Sequence, residues 1–356
     1  MHRRPARRGP AASTLLLLAA LAFPFRPAGA AETFSRQYLT FGTLVEVAIY
    51  TADTERASRA AADLERHLQR WHREWSAWKG DGGLARLNRQ LAAGKAAAVS
   101  AQLAAMLREA KSLSAETGGR FDPAIGGLIR LWGFDDSDNL PDRPPPDDAI
   151  SAYERDRPSM AQVRIRDGRV SAPGQDTQID LGAFAKGYGL DRAMEVLRGH
   201  GIDNAIVNAG GDLRVLGRHG DRPWRIGIRA PRGGGVLAAV EARDGEAVFT
   251  SGDYERFFEW HGRRYHHILN PATGYPARGL DSVTVITDRG ARADAAATAL
   301  FVAGPQQWAK LADAMDLPLV MVVEDDGTVQ MTPAMAKRIQ FLDHRPEHVE
   351  TVEVAR

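Results

Sequence analysis

Residues 180–212, DLGAFAKGYGLDRAMEVLRGHGIDNAIVNAGGD, constrain the fold more than any other part of the chain. An extended run ends at Asp180, and Gly182, Gly187 and Gly189 then allow a tight turn and a close backbone approach to a ligand. Leu190, Ala193, Met194 and Leu197 follow at helical spacing. Gly199 and Gly201 suit a left-handed helix end. Residues 205–207 read as a short buried strand, broken by the turn at 208–212. A loop feeding a helix N-terminus can hold an anion, because the first N–H groups have no partner within the helix. Lys186 in that first turn points to phosphate, and Asp180 six residues earlier points to a metal or a ribose. The stretch matches neither the phosphate loop ending in Gly-Lys-Ser/Thr nor the GxGxxG fingerprint. The same glycines would equally serve an ordinary strand-to-helix turn.

The rest of the chain sets limits on this. With 356 residues, 44% of them apolar, it can build one large or two medium globular domains. It has no cysteine, which excludes disulfides, thiolate metal sites, a cysteine nucleophile and a lipidated cysteine. Arg3, Arg4, Arg7 and Arg8 precede an apolar run at 15–23 and then Ala28-Gly29-Ala30. That is the pattern of a signal peptide over residues 1–30, with an uncleaved anchor as the alternative. Cleavage would remove five arginines and no acids from a chain with 46 basic and 45 acidic residues, leaving a net negative protein. A nucleic-acid-binding surface is therefore not indicated. No later apolar run is long enough to cross a bilayer, so a soluble periplasmic protein is expected. One domain is expected over 31–343, with two subdomains as an option, followed by a loose charged tail over 344–356.

Strand patterns recur at 44–50, 213–216, 224–229, 236–242, 282–286 and 317–323, and a hairpin is read around Asp167-Gly168. Helices are expected from Asp53 to about Trp71, over 101–117 after Ser100, over 291–301 and over 306–315. Residues 135–148, rich in Asp and Pro, read as an exposed loop or lid. Strands outnumber the helices set between them, so the fold class is α+β, with mixed or antiparallel sheets flanked by helices.

Asp294 and Thr298 lie four apart, on one face of an alanine-rich helix. A carboxylate and a hydroxyl so placed suit a hard ion such as Mg²⁺ better than Zn²⁺. They are equally a solvated Asp and a Thr bonded back to its own helix. His266 and His267 end a strand, so one should face the core and the other a cleft. The turn at 250–253 offers N–H groups to a phosphate. Ser251 with His267 would suggest a hydrolase triad, but the GxSxG elbow is missing. Of Trp71, Trp75 and Trp78, the one beside the Gly-rich turn at 79–83 can stack on a flat ligand.

Eight ordered blocks carry a more specific signal. FGTLVEV, SAWKGD, RFDPAIGGLIRLWGF, DLGAFAKGYGLDR, VNAGGDLRVLG, TSGDYERFFE, HHILNPATGYP, and SVTV followed by ADAAATALFV together resemble the ApbE family of FAD:protein FMN transferases. The resemblance spans roughly residues 41–304. It implies a T-fold-like architecture that binds FAD and Mg²⁺. It also implies cleavage of the FAD pyrophosphate, with FMN passing to a Thr or Ser hydroxyl of an acceptor flavoprotein and AMP leaving. Matched onto this chain, the metal positions are Asp294 and Thr298, with the carbonyl of Ala183 and with Ala297 nearby. The FAD-contacting positions are Phe41, Trp78, Arg120, Phe121, Asp122, Asp180, Lys186 and Leu269. His267 is expected to help deprotonate the acceptor, with an ordinary pKa. Three positions depart from the family pattern: Phe41 stands for a common Met, Asn270 for a frequent Asp, and Ser76-Ala77-Trp78 for Ser-Thr-Tyr. Two alternatives remain open on the same site, a Mg²⁺-dependent FAD pyrophosphatase and a non-catalytic periplasmic flavin-binding or assembly protein. Acceptors would be subunits of membrane redox complexes or a related regulator.

Overall fold

The computed structural model describes residues 31–354 apart from 79, 137, 175, 176, 343 and 344; the expected leader at 1–30 lies outside the described residues. Among the described residues nine strands make the main sheet. Their spatial order is Glu32–Thr40, Thr43–Thr51, Ala205–Ala209, Asp212–Leu216, Ala247–Gly252, Leu280–Thr287, Val320–Glu324, Val329–Met331 and Val349–Thr351. Neighbours pair antiparallel except the last two, which are parallel. The fold is thus α+β with a mixed, largely antiparallel sheet. The expected loose tail is corrected: Val349–Thr351 pairs with Val329–Met331, and Val349 packs on the core beneath. Its charges sit on an exposed sheet edge, which is why composition alone reads as an unattached segment.

Period-two alternation supplies the sheet with two apolar faces. On Ala247–Gly252, Ala247 and Phe249 join one core while Val248 joins the other. The first core lies under the helices Thr54–Trp75, Ala185–Gly199 and Gly290–Ala303. The second lies under a small sheet of Trp224–Arg229, Val236–Ala242 and Gln340–Phe341. A third cluster around Trp132, Phe134, Ile150 and Phe258 joins Gly126–Leu131 and Asp147–Asp156 to the hairpin Phe257–Trp260/Arg263–His266.

Several elements escape the sequence patterns, the helices Gly126–Leu131 and Asp147–Asp156 among them, the second starting inside the stretch read as a loop. Glu32–Thr40 pairs with Thr43–Thr51 through a turn in which Phe41 (φ 52°) and Gly42 (φ 71°) are both left-handed, the requirement of a tight two-residue hairpin. Gly83–Ala92 is a helix whose N-cap, Gly82, offers no side-chain cap and so leaves no start signal. It is held by Leu84, Leu87 and Leu91.

The helices Ala185–Gly199 and Gly290–Ala303 meet backbone to backbone. A Cβ on Gly187 would stand 2.1 Å from the carbonyl oxygen of Gly290, and one on Gly189 would stand 3.2 Å from the Phe41 ring. Gly187 therefore serves helix packing rather than the ligand approach expected of it, and Gly189 makes room for the Phe41 ring at the cleft wall. Gly187→Ala is expected to cost about 1–3 kcal/mol by overpacking, lowering Tm by roughly 2–4 °C. A thermal melt within 1 °C of the parent protein would refute this close contact.

Candidate active site

That glycine contact lets each helix cap the other. Asp294 Oδ2 accepts the Gly187 N–H at 2.9 Å, in the first turn of Ala185–Gly199. Asp191 in turn accepts from Gly290 at 2.7 Å and Ala291 at 3.1 Å, at the start of Gly290–Ala303. Neither helix has a side-chain cap of its own at its N-cap residue, so the two acids satisfy donors that would otherwise be orphaned. Asp294 is thereby drawn into the interior at 6% exposure. Burial pushes its carboxyl up to about 7, against the opposing pull of the Lys186 charge. Among the described residues nothing hydrogen-bonds its other oxygen.

Lys186 forms an ion pair with Asp212, whose other oxygen accepts the Thr250 N–H at 2.9 Å. The Lys186 pKa is raised by Asp212 and Asp294 despite burial, so the ammonium stays charged. Ser251 Oγ and Thr298 Oγ1 are 3.1 Å apart. The expectation of free N–H donors at 250–253 is corrected: Thr250 and Ser251 belong to a sheet strand, and the Thr250 and Asp253 N–H groups are taken by Asp212 and the Asp281 carbonyl. Ser251 is thus a hydroxyl beside Thr298, with no hydrogen bond to a histidine among the described residues.

These groups open into a cleft of about 480 Å³, within the usual size of small-molecule sites. Every residue expected at the site lines it: Phe41, Trp78, Arg120, Phe121, Asp122, Asp180, Ala183, Lys186, His267, Leu269, Asp294, Ala297 and Thr298. Their side chains are held in different ways. Phe41 stacks on Trp75 at 6.0 Å and 9°. Trp78 donates its indole N–H to Asp180 Oδ2 at 2.8 Å, and Arg130 covers one face of its ring at 4.9 Å. Asp180 Oδ1 accepts the Gly182 N–H at 2.7 Å, so Asp180 pins both the turn and the indole. Trp71 and Trp75, by contrast, are core residues.

Asp122 differs from the others. Its buried carboxylate accepts from Ala124 N at 2.9 Å, Ser159 Oγ at 2.8 Å and Met160 N at 2.9 Å. It fastens the 120–124 turn to the loop at 159–160 while lining the cleft beside Arg120 and Phe121, the latter packed against Phe184. Leu269 packs with Leu128 and Trp132 in the third cluster and forms an isolated bridge to Pro276.

The two histidines divide as strand alternation requires. His266 is buried, with Nε2 against the Ala277 carbonyl at 2.9 Å and its ring edge-on to Phe301. His267 lines the cleft, with Nδ1 3.3 Å from the Arg256 carbonyl. A carbonyl only accepts, so Nδ1 carries the proton and Nε2 is the bare base. The expected ordinary pKa is corrected: burial, then the Arg256 and His266 charges, hold it well below 6.5. His267 is a neutral imidazole at neutral pH.

A family model of ApbE matches residues 41–321. The chain belongs to the ApbE family. It is an enzyme of that family, whose curated members carry the name FAD:protein FMN transferase. The Rhodobacter capsulatus protein of that name is 41% identical over 88% of this chain, and the chain spans 60% of that protein's length. A Treponema pallidum protein of the same name is 37% identical over 88% of this chain and 90% of its own length. The crystal structure of the ApbE protein from Thermotoga maritima superposes with a TM-score of 0.79 at 32% identity, covering 86% of this chain and 99% of that one. The main sheet and the elements packed on its two faces are thus the ApbE fold.

Four residues at or behind the cleft of this ApbE protein were not singled out from sequence: Asp212, Asp191, Ser251 as a Thr298 partner, and Arg256. Asp212 closes the VNAGGD block and Arg256 lies in TSGDYERFFE, so the blocks flagged their neighbourhoods. Asp212 meets Lys186 across 26 positions, Ser251 meets Thr298 across 47, Asp191 meets Ala291 across 100 and Arg256 meets Phe134 across 122.

Proposed function

We propose that the cleft binds FAD and that the enzyme transfers FMN to a Ser or Thr hydroxyl of an acceptor flavoprotein through a phosphoester, releasing AMP. The observation that carries this is the juxtaposition, in one cleft, of the buried Asp294 carboxylate with the neutral base His267. The names of the relatives support the same substrate pair. The acceptor Oγ attacks the FMN phosphorus, and its proton passes to His267 Nε2. The bond from that phosphorus to the bridging oxygen breaks, and AMP leaves with that oxygen. Positioning is most of the catalysis in such a step, and Phe41, Trp78 and Asp180 present rigid apolar and polar walls for it.

The residues around Asp294 fit a magnesium ion. The donors at hand are a carboxylate with one oxygen free of hydrogen bonds among the described residues and the Thr298 and Ser251 hydroxyls, with Ala183, whose carbonyl would add a further oxygen, and Ala297 lining the same cleft: a hard oxygen set without thiolate or imidazole. The nearby cation, Lys186, is already committed to Asp212. Mg²⁺ held there would neutralise charge on the pyrophosphate oxygens. The basic and apolar pattern at 1–30 supports export, so the acceptor would be a periplasm-facing flavoprotein. No helix among the described residues is long and apolar enough to cross a membrane.

The test incubates the protein with FAD, Mg²⁺ and a candidate acceptor domain and weighs the acceptor by intact mass spectrometry. An FMN-sized gain on a Ser or Thr, with AMP released in equal amount, is expected. FMN and AMP free in solution beside an unmodified acceptor would assign the site to hydrolysis. FAD left uncut would assign it to flavin binding alone.

A further inference from the structure

The cations of the cleft are not equivalent. Lys186 is neutralised by Asp212. Arg256 is not: its guanidinium lines the cleft, yet among the described residues no carboxylate lies within ion-pair distance. Its one protein hydrogen bond runs from Nη1 to the Phe134 carbonyl at 3.3 Å. A guanidinium has five N–H donors in a fixed fork. One is tethered here, and the others have no protein acceptor among the described residues. Burial lowers the Arg256 pKa, with Asp180 and Glu255 opposing only at a distance. A partly buried guanidinium with no carboxylate partner among the described residues is placed to take an anion from a ligand.

The same residue is tied to the base. The Arg256 carbonyl accepts both the backbone N–H of His267 at 3.1 Å and its Nδ1–H at 3.3 Å. The guanidinium is close enough to depress the His267 pKa. Since the base must reach the hydroxyl that attacks phosphorus, a phosphate at the reacting position lies beside Arg256 as well. We propose that Arg256 is a phosphate-binding residue of this enzyme, its free N–H fork taking the pyrophosphate oxygens of FAD while its carbonyl sets the tautomer of His267. This rests on the FAD reading of the cleft.

The test compares Arg256→Gln and Arg256→Lys with the parent protein, following FAD and riboflavin binding by flavin fluorescence and stability by thermal melting. Losing a charged, multidentate contact should weaken FAD binding roughly 10- to 100-fold in Arg256→Gln. Riboflavin, which has no phosphate, should bind all three proteins within about twofold. Arg256→Lys keeps the charge without the fork and should fall between the other two. Unchanged FAD affinity in Arg256→Gln would overturn the assignment. So would equal weakening of FAD and riboflavin together with a lowered Tm, since that is the signature of a residue that only props up Phe134. A parent protein that binds no FAD would instead overturn the functional reading itself, and this assignment with it.

Discussion

Asp294→Ala is expected to lower FMN transfer by roughly 10³-fold or more, because it removes the only carboxylate among the oxygen donors proposed for the metal. Acceptor mass and AMP release would both fall. Transfer at the parent rate would sink the metal assignment. A subtler consequence concerns the metal-free protein. The folded state holds the Asp294 proton up to about 7, against an ordinary 3.8. Below 3.8 both folded and unfolded chains are protonated there, and this group costs nothing. As pH rises towards 7 the unfolded chain ionises first, so the folded state loses stability on the order of a few kcal/mol. In chelator-treated protein, Asp294→Asn should remove that part of the slope. It should therefore melt higher than the parent protein near pH 7 and close to it near pH 4. Parallel melting curves across that range would show that Asp294 is not a strained buried acid.

His267→Gln is the second large effect. Loss of a general base costs about 10² to 10⁴ in rate, and glutamine keeps the bulk of the ring without its basicity. FAD affinity should change little, so the loss falls on kcat rather than on KM for FAD. The pH profile follows from the direction of the His267 shift. Its folded pKa lies well below 6.5, so the base stays unprotonated as pH falls through the usual histidine range. In the parent protein the rate should hold down to pH 6.5 and decline only on further acidification. A rate halved at pH 6.5, or a His267→Gln variant at the parent rate, would remove His267 from the role of base.

Much of this site was legible in order along the chain. Asp294 and Thr298 are four apart on an alanine-rich helix, and helix geometry alone puts them on one face. His266 ends a strand and His267 is the residue after it, and alternation carried one step past the strand separates them into core and cleft. Ser100 and Asp53 mark helix starts through bonds to residues three ahead. What stayed hidden is just as specific. Asp122 lines the cleft as its position in the block suggests, but no local run shows that its carboxylate also fastens Ser159 and Met160. Gly187 reads as a turn glycine, yet it makes room for Gly290. The Gly83–Ala92 helix lacks a capping side chain, and the 32–40 strand shows its purpose only beside its hairpin partner.

By itself, then, the sequence determined the α+β class, the exclusion of cysteine chemistry and the family-bearing blocks, because each depends on residue type and on spacings of a few positions. Only the tertiary structure decided that Asp294 caps a helix 107 positions upstream, that Lys186 is already paired with Asp212, and that Arg256 has no carboxylate partner among the described residues while its carbonyl holds His267. Those facts concern charge balance and desolvation. Both are set by which strands lie side by side and by how closely two helices can approach, and neither is written in any local run of residues.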